Sequence, residues 1–249
     1  MSDARLTLAA LRDRIAHLEG AEGHARKTLA FGVPALDRRL PQGGLALGCL
    51  HEVSGGPEGA GDGAVAACFA AGIAARLPGP VLWCVTQGDL FAPGLEQAGL
   101  PPDRVIYVEA GDDISLLACM EEGLRHGGLG AVVAEVARLS MTASRRLHLA
   151  AKTSGTTGLA LRRWRDPAQA EDFGQPTAAM TRWRISALPS VPLPVPGVGR
   201  ARWRVELVRA RAGEPFEMIL EGCDDTGHLG LPADVADRPA AAAGRHAFG

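Results

Sequence analysis

From residue 48 the chain alternates short apolar runs with stretches of helical periodicity. The apolar runs predict strands near 48–53, at 81–86 (VLWCVT), 105–108 (VIYV), 131–136 (AVVAEV) and 159–163 (LALRR). Between them the pattern predicts helices over 64–77 (AVAACFAAGIAARL), around 90–98, at 114–126 and at 142–152. Strands separated by helices of about ten residues indicate βαβ crossovers and a parallel sheet covered on both faces. The final third changes period. MTRWRISAL (180–188), ARWRVELVRA (201–210) and PFEMILEG (215–222) alternate apolar and polar positions, which predicts antiparallel strands with Trp183 and Trp203 turned to the core. Four prolines make 189–199 an extended connection, and RAGEP (211–215) supplies a hairpin turn.

Ahead of this pattern, Leu8, Leu11, Ile15 and Leu18 recur at helical spacing, with charged residues on the other faces and Gly20 as a stop. An amphipathic helix is expected there, docked on its own domain or on another protein. The predicted organisation is this helix and its linker over 1–27, a core over 28–232 and a low-complexity tail over 233–249. The 249 residues are 47% hydrophobic, enough to bury a core. No apolar run reaches the ~20 residues of a membrane span, and the charged, amphipathic start is unlike a secretory leader, so a cytoplasmic location with no membrane partner is expected. The five cysteines are odd in number, dispersed and set among apolar residues, which predicts reduced core thiols. His51 and His228 lack metal-ligand spacing, and no metal site is expected.

The strand near 48–53 runs into VSGGPEGAGDG (53–63), at the place where a nucleotide-binding chain would carry G-x-x-x-x-G-K-[ST]. Gly56 and Gly61 keep the frame around Pro57 and Glu58, but Asp62 takes the lysine position and Gly63 the hydroxyl position. An anion ~4 Å from a phosphate charge costs roughly 4 kcal/mol at an effective dielectric of about 20. Only Lys27 and Lys152 exist elsewhere to replace the lost cation. The frame predicts a nucleotide fold without its nucleotide, and no cofactor.

Residues 31–63 (FGVPALDRRLPQGGLALGCLHEVSGGPEGAGDG) resemble the segment leading into RecA-type cores, where G-[ILV]-x-x-L-D and a paired-glycine turn precede the phosphate loop. In order, the strand ending at Glu135 resembles a Walker B strand, FGQPT (173–177) a RecA DNA loop, and 203–222 the strand pair that follows. The resemblance implies an α/β, RecA-like P-loop NTPase core: a mostly parallel sheet flanked by helices, with antiparallel C-terminal strands. With RRLHLAAKTSGTTGLALR (145–162), TRWRISALPS (181–190) and the degenerate loop, the chain is similar to the ImuA family over roughly 28–232. That similarity implies a damage-induced accessory role in mutagenic translesion synthesis. The implied partners are an ImuB-type Y-family polymerase homologue, RecA and a DnaE-type polymerase.

The departures from RecA concern catalysis. Thr86, Gln87 and Gly88 stand where RecA-type enzymes place a water-activating glutamate, and Glu135 replaces a Mg²⁺-orienting aspartate without lysine or hydroxyl support. The expectation is a non-catalytic adaptor. Two alternatives stay open: a DNA-stimulated ATPase with an atypical loop, and a SulA-like regulatory inhibitor.

Charge is uneven. The net charge is −2, yet 138–211 holds 14 Lys and Arg against 4 acids, a net of +10 inside an otherwise acidic chain. Arg162, Arg163, Arg165, Arg182 and Arg184 are interleaved with Trp164 and Phe173, a combination suited to single-stranded DNA through phosphate contacts and base stacking. The alternative reading leaves the arginines solvated on a sheet whose tryptophans face inward. Arg209 and Arg211 match positions where RecA presents lysines to a neighbouring protomer, so the resemblance implies an interface there.

Overall fold

The structure is a computed structural model that describes residues 27–164, 171–191, 196–197 and 199–232. The expected N-terminal helix with Leu8, Leu11, Ile15 and Leu18, the Arg165 position and the C-terminal tail lie outside the described residues. A small ribbon of β1 (Thr28–Leu29) and β2 (Leu45–Ala46) brackets the short helix α1 (Pro34–Asp37). Asp37 draws the chain in by accepting from the Phe31 and Gly32 amides.

The main body then alternates strand and helix: β3 (Leu50–Gly55), α2 (Ala60–Ala75), β4 (Val81–Val85), α3 (Ala92–Gln97), β5 (Val105–Glu109), α4 (Asp113–His126), β6 (Ala131–Val136), α5 (Met141–Ser154) and β7 (Thr157–Arg162). β8 (Thr181–Leu188), β9 (Arg202–Ala210) and β10 (Phe216–Glu221) complete one eight-stranded sheet, ordered β10-β9-β8-β3-β7-β6-β4-β5. This is the α/β, RecA-like architecture. The helices stop where the chain chemistry says they should. Asp112 caps α4 by accepting from the Ile114 and Ser115 amides, Ser140 caps α5 through Ala143, and left-handed Gly127 and Gly155 end them.

One pairing differs from the expectation. β8 is parallel to β3 and antiparallel only to β9, so the change of direction falls between β8 and β9. Alternation of side chains reports the two faces of a strand and carries no information on the polarity of its neighbours.

The sheet separates two apolar layers. On one face α2, through Phe69 and its alanines, shares a cluster with Phe31, Trp183, Trp203, Val53 and Val205. Phe31, Phe69 and Trp183 lie with ring centroids 5.6–5.8 Å apart. On the other face α4 and α5 cover Leu50, Cys84, Val132, Ala134 and Ala160. Trp183 and Trp203 are buried, on the side that period two assigns them. The five cysteines are free thiols, and burial pushes Cys84 and Cys223 up to about 12. No helix among the described residues is long and apolar enough to cross a membrane.

Candidate functional site

In open α/β sheets, ligands bind beyond the carboxyl ends of the parallel strands. At that edge β3 runs into the glycine loop and α2, while β4, β6 and β7 end near Asp89, Glu135 and Arg163. The loop has the expected strand-turn-helix form, but its anion is part of the chain. Asp62, in the first turn of α2, is 0% exposed. Its Oδ2 accepts from the Glu58 amide at 2.9 Å and its Oδ1 from the Ala187 amide on β8 at 2.7 Å. The carboxylate thus sits at the positive end of α2, where it takes up the Glu58 amide of the loop and ties the loop to β8 through Ala187. Gly56 is required because a Cβ there would lie 2.5 Å from Asp62 Oδ2 and 2.1 Å from Ser186 Oγ. Gly59, at φ 74°, supplies the left-handed turn into the helix.

RecA-type folds bind a nucleotide triphosphate with Mg²⁺, and the residues present do not fit that group. The inward carboxylate of Asp62 stands where a cation is needed, and Gly63 offers no hydroxyl. Glu135 is also engaged. Trp83 Nε1 donates to its Oε1 at 3.2 Å, and Arg163 Nη1 donates to its Oε2 at 2.7 Å. Arg163 also grips both Asp89 oxygens at 2.9 Å. Glu135 therefore ties β6 to Trp83 of β4 and to Arg163 just after β7.

The arginine-aromatic set divides sharply. Arg162 and Arg182, expected at a nucleic-acid surface, are buried. Both converge on Glu52 in the middle of β3: Arg162 Nη1 lies 2.9 Å from Oε2 and Arg182 Nη2 3.2 Å from Oε1. Arg162 Nη2 also donates to the Ala137 carbonyl, and Thr177 Oγ1 to Glu52. Arg182 reaches the Phe173 carbonyl at 2.5 Å and the Gln175 carbonyl at 2.8 Å. Arg182 clamps the FGQPT segment onto the sheet, and Arg162 ties the end of β7 to β3 and to Ala137. They have no free face for phosphate.

Phe173 is buried against them, with the Arg182 and Arg184 guanidinium carbons 4.9 and 5.7 Å from its ring and the Trp164 ring 5.5 Å away. It is not positioned to stack on a base. Arg184 remains partly exposed, 3.6 Å from Glu206, and Arg163 partly exposed in its two ion pairs. Arg209 and Arg211 are exposed at the end of β9, where Arg209 Nη1 donates to the Thr177 carbonyl at 3.1 Å.

Sequence reasoning missed Glu52 and Asp89, the acids that absorb this basic segment. The signal for Glu52 was a glutamate inside a strand expected to be buried on both faces, which demands a partner. His51 is a satisfied core residue. Its Nε2–H donates to the Ala46 carbonyl at 2.8 Å and its Nδ1 lies 2.7 Å from Thr181 Oγ1. Burial lowers it to about 4, opposed by the Ala46 bond and aided by nearby His148. No His, Cys, Asp or Glu group suited to a metal ion occurs among the described residues.

No protein-family model matches the chain. It is 40% identical over 229 residues to Protein ImuA of Caulobacter vibrioides strain NA1000 / CB15N, covering 86% of this chain and 93% of that protein. Protein ImuA of strain ATCC 19089 / CIP 103742 / CB 15 matches with the same identity and coverage.

Proposed function

The chain belongs to the ImuA family, and on that premise we propose that it is a non-catalytic, RecA-like adaptor in damage-induced mutagenic DNA synthesis. It works by protein contacts with an ImuB-type polymerase homologue, together with RecA or a DnaE-type polymerase. The observation that carries the non-catalytic reading is Asp62, buried and bonded to the Glu58 and Ala187 amides at the point where a phosphate loop needs a lysine. Glu135, bonded to Trp83 and Arg163, supports it. Among the described members of the arginine-aromatic set, Arg162 and Arg182 are absorbed by Glu52 and only Arg163 and Arg184 are partly exposed, which supports protein contact as the main mode.

Two measurements test the reading. Titration with fluorescent ATP and Mg²⁺, with and without single-stranded DNA, is expected to stay flat to millimolar ATP. Saturable micromolar binding with phosphate release would establish the ATPase alternative instead. Pull-down with the full chain as bait is expected to retain the ImuB-type protein. Capture of a cell-division GTPase and of no polymerase homologue would point to the SulA-like inhibitor.

A further inference from the structure

Beside the glycine loop, α2 and the segment leading into α3 enclose a cleft of about 150 Å³. Ala60, Ala64 and Ala67 form one wall, and Leu90, Phe91 and Leu95 the other. Its polar floor is the Asp89–Arg163–Glu135 bridge. One guanidinium between two carboxylates leaves the floor with a formal charge of −1. Arg163 takes one lone pair on each Asp89 oxygen. A carboxylate oxygen accepts about two hydrogen bonds, so Asp89, with its side chain 50% exposed, retains capacity for an incoming donor. Phe91, 71% exposed, extends the apolar wall at the mouth.

A cavity of about 150 Å³ accommodates a benzene-sized group. We propose that this cleft anchors a protein partner through one aromatic side chain bearing a hydrogen-bond donor, tyrosine or tryptophan, on a segment free of acidic neighbours. The ring packs between the α2 alanines and Leu90, Phe91 and Leu95, and its O–H or N–H bonds to Asp89. Such amphipathic rings are enriched among the few residues that dominate interface energetics. The net negative floor disfavours an aromatic base that brings phosphates with it. The inference rests on the adaptor reading only in naming a protein as the bearer of the ring.

The test is an NMR titration of the isotope-labelled full chain with N-acetyl-tyrosinamide and, separately, with AMP. N-acetyl-tyrosinamide is expected to produce saturable millimolar shifts at Ala64, Ala67 and the 90–95 amides. The variant Ala64→Leu, at an exposed helix position, fills the cleft and is expected to weaken binding at least tenfold with its other resonances unmoved. No saturable shift, equal binding by the variant, or preferential binding of AMP in the cleft would overturn the proposal. Failure of the adaptor reading is distinguishable, because it is read by ATP binding and partner capture while the cleft is read by the small probe.

Discussion

Glu52 and Asp62 are both fully buried carboxylates on the same strand-turn-helix, yet their surroundings differ in kind. Glu52 is held by two long, charged side chains, Arg162 and Arg182, together with Thr177. Asp62 is held by two backbone amides, Glu58 and Ala187. The first arrangement brings one negative and two positive charges out of water and depends on a segment distant in sequence. The second uses fixed dipoles at a helix end and needs no cation. Losing Glu52 strands two cations, whereas losing Asp62 strands two neutral donors.

Removing each acid separates them, and the largest effect is expected at Glu52. Glu52→Ala leaves Arg162 and Arg182 buried without a counter-charge and is expected to cost about 3–5 kcal/mol in urea unfolding. Replacing all three with apolar residues of similar volume should recover most of that loss. A stable single variant would show that the network is not the clamp described here.

Asp62→Ala is expected to cost about 2–3 kcal/mol by leaving two amides unsatisfied, with Asp62→Asn intermediate. Asp62→Lys places an ammonium among N–H donors, so it is expected to destabilise at least as much and to give no ATP turnover. Unchanged stability in Asp62→Ala would break the contrast.

His51 offers a third, smaller comparison, because it is buried in the same strand and held by Ala46 and Thr181. Its pKa is about 4 folded and about 6.5 unfolded, so the unfolded chain binds more protons between those values. This contribution to stability is therefore complete above about 6.5 and lost as pH falls toward about 4. Going from pH 7 to 5 is expected to cost about 2 kcal/mol from this group alone. Denaturation of His51→Gln at the two pH values should show a shallower dependence than the parent chain.

Much of the fold was legible. Apolar runs and helical periods located β3 through β7 and their helices, with shifts mainly at the ends, as for α2, which begins at Ala60 where the pattern suggested 64. The missing lysine and hydroxyl were legible too. The arginines were harder to read. Period two turned Trp183 to the core and Arg182 away from it, but away from the core was not into water, because 173–177 folds over that face. An alternating strand reports that its two faces differ in polarity and does not report what covers the polar one.

The sequence by itself determined the order of strands and helices, the apolar faces and the chemical groups absent from the glycine loop, because these follow from local periodicity and residue type. Tertiary structure alone decided which partner each buried acid meets. Glu52 meets Arg162 and Arg182, Asp62 meets Ala187, and Glu135 meets Arg163 across separations of 110, 130, 125 and 28 residues, respectively. Side-chain partners that far apart in the chain are set by how the strands are ordered in the sheet, and no local pattern encodes that order.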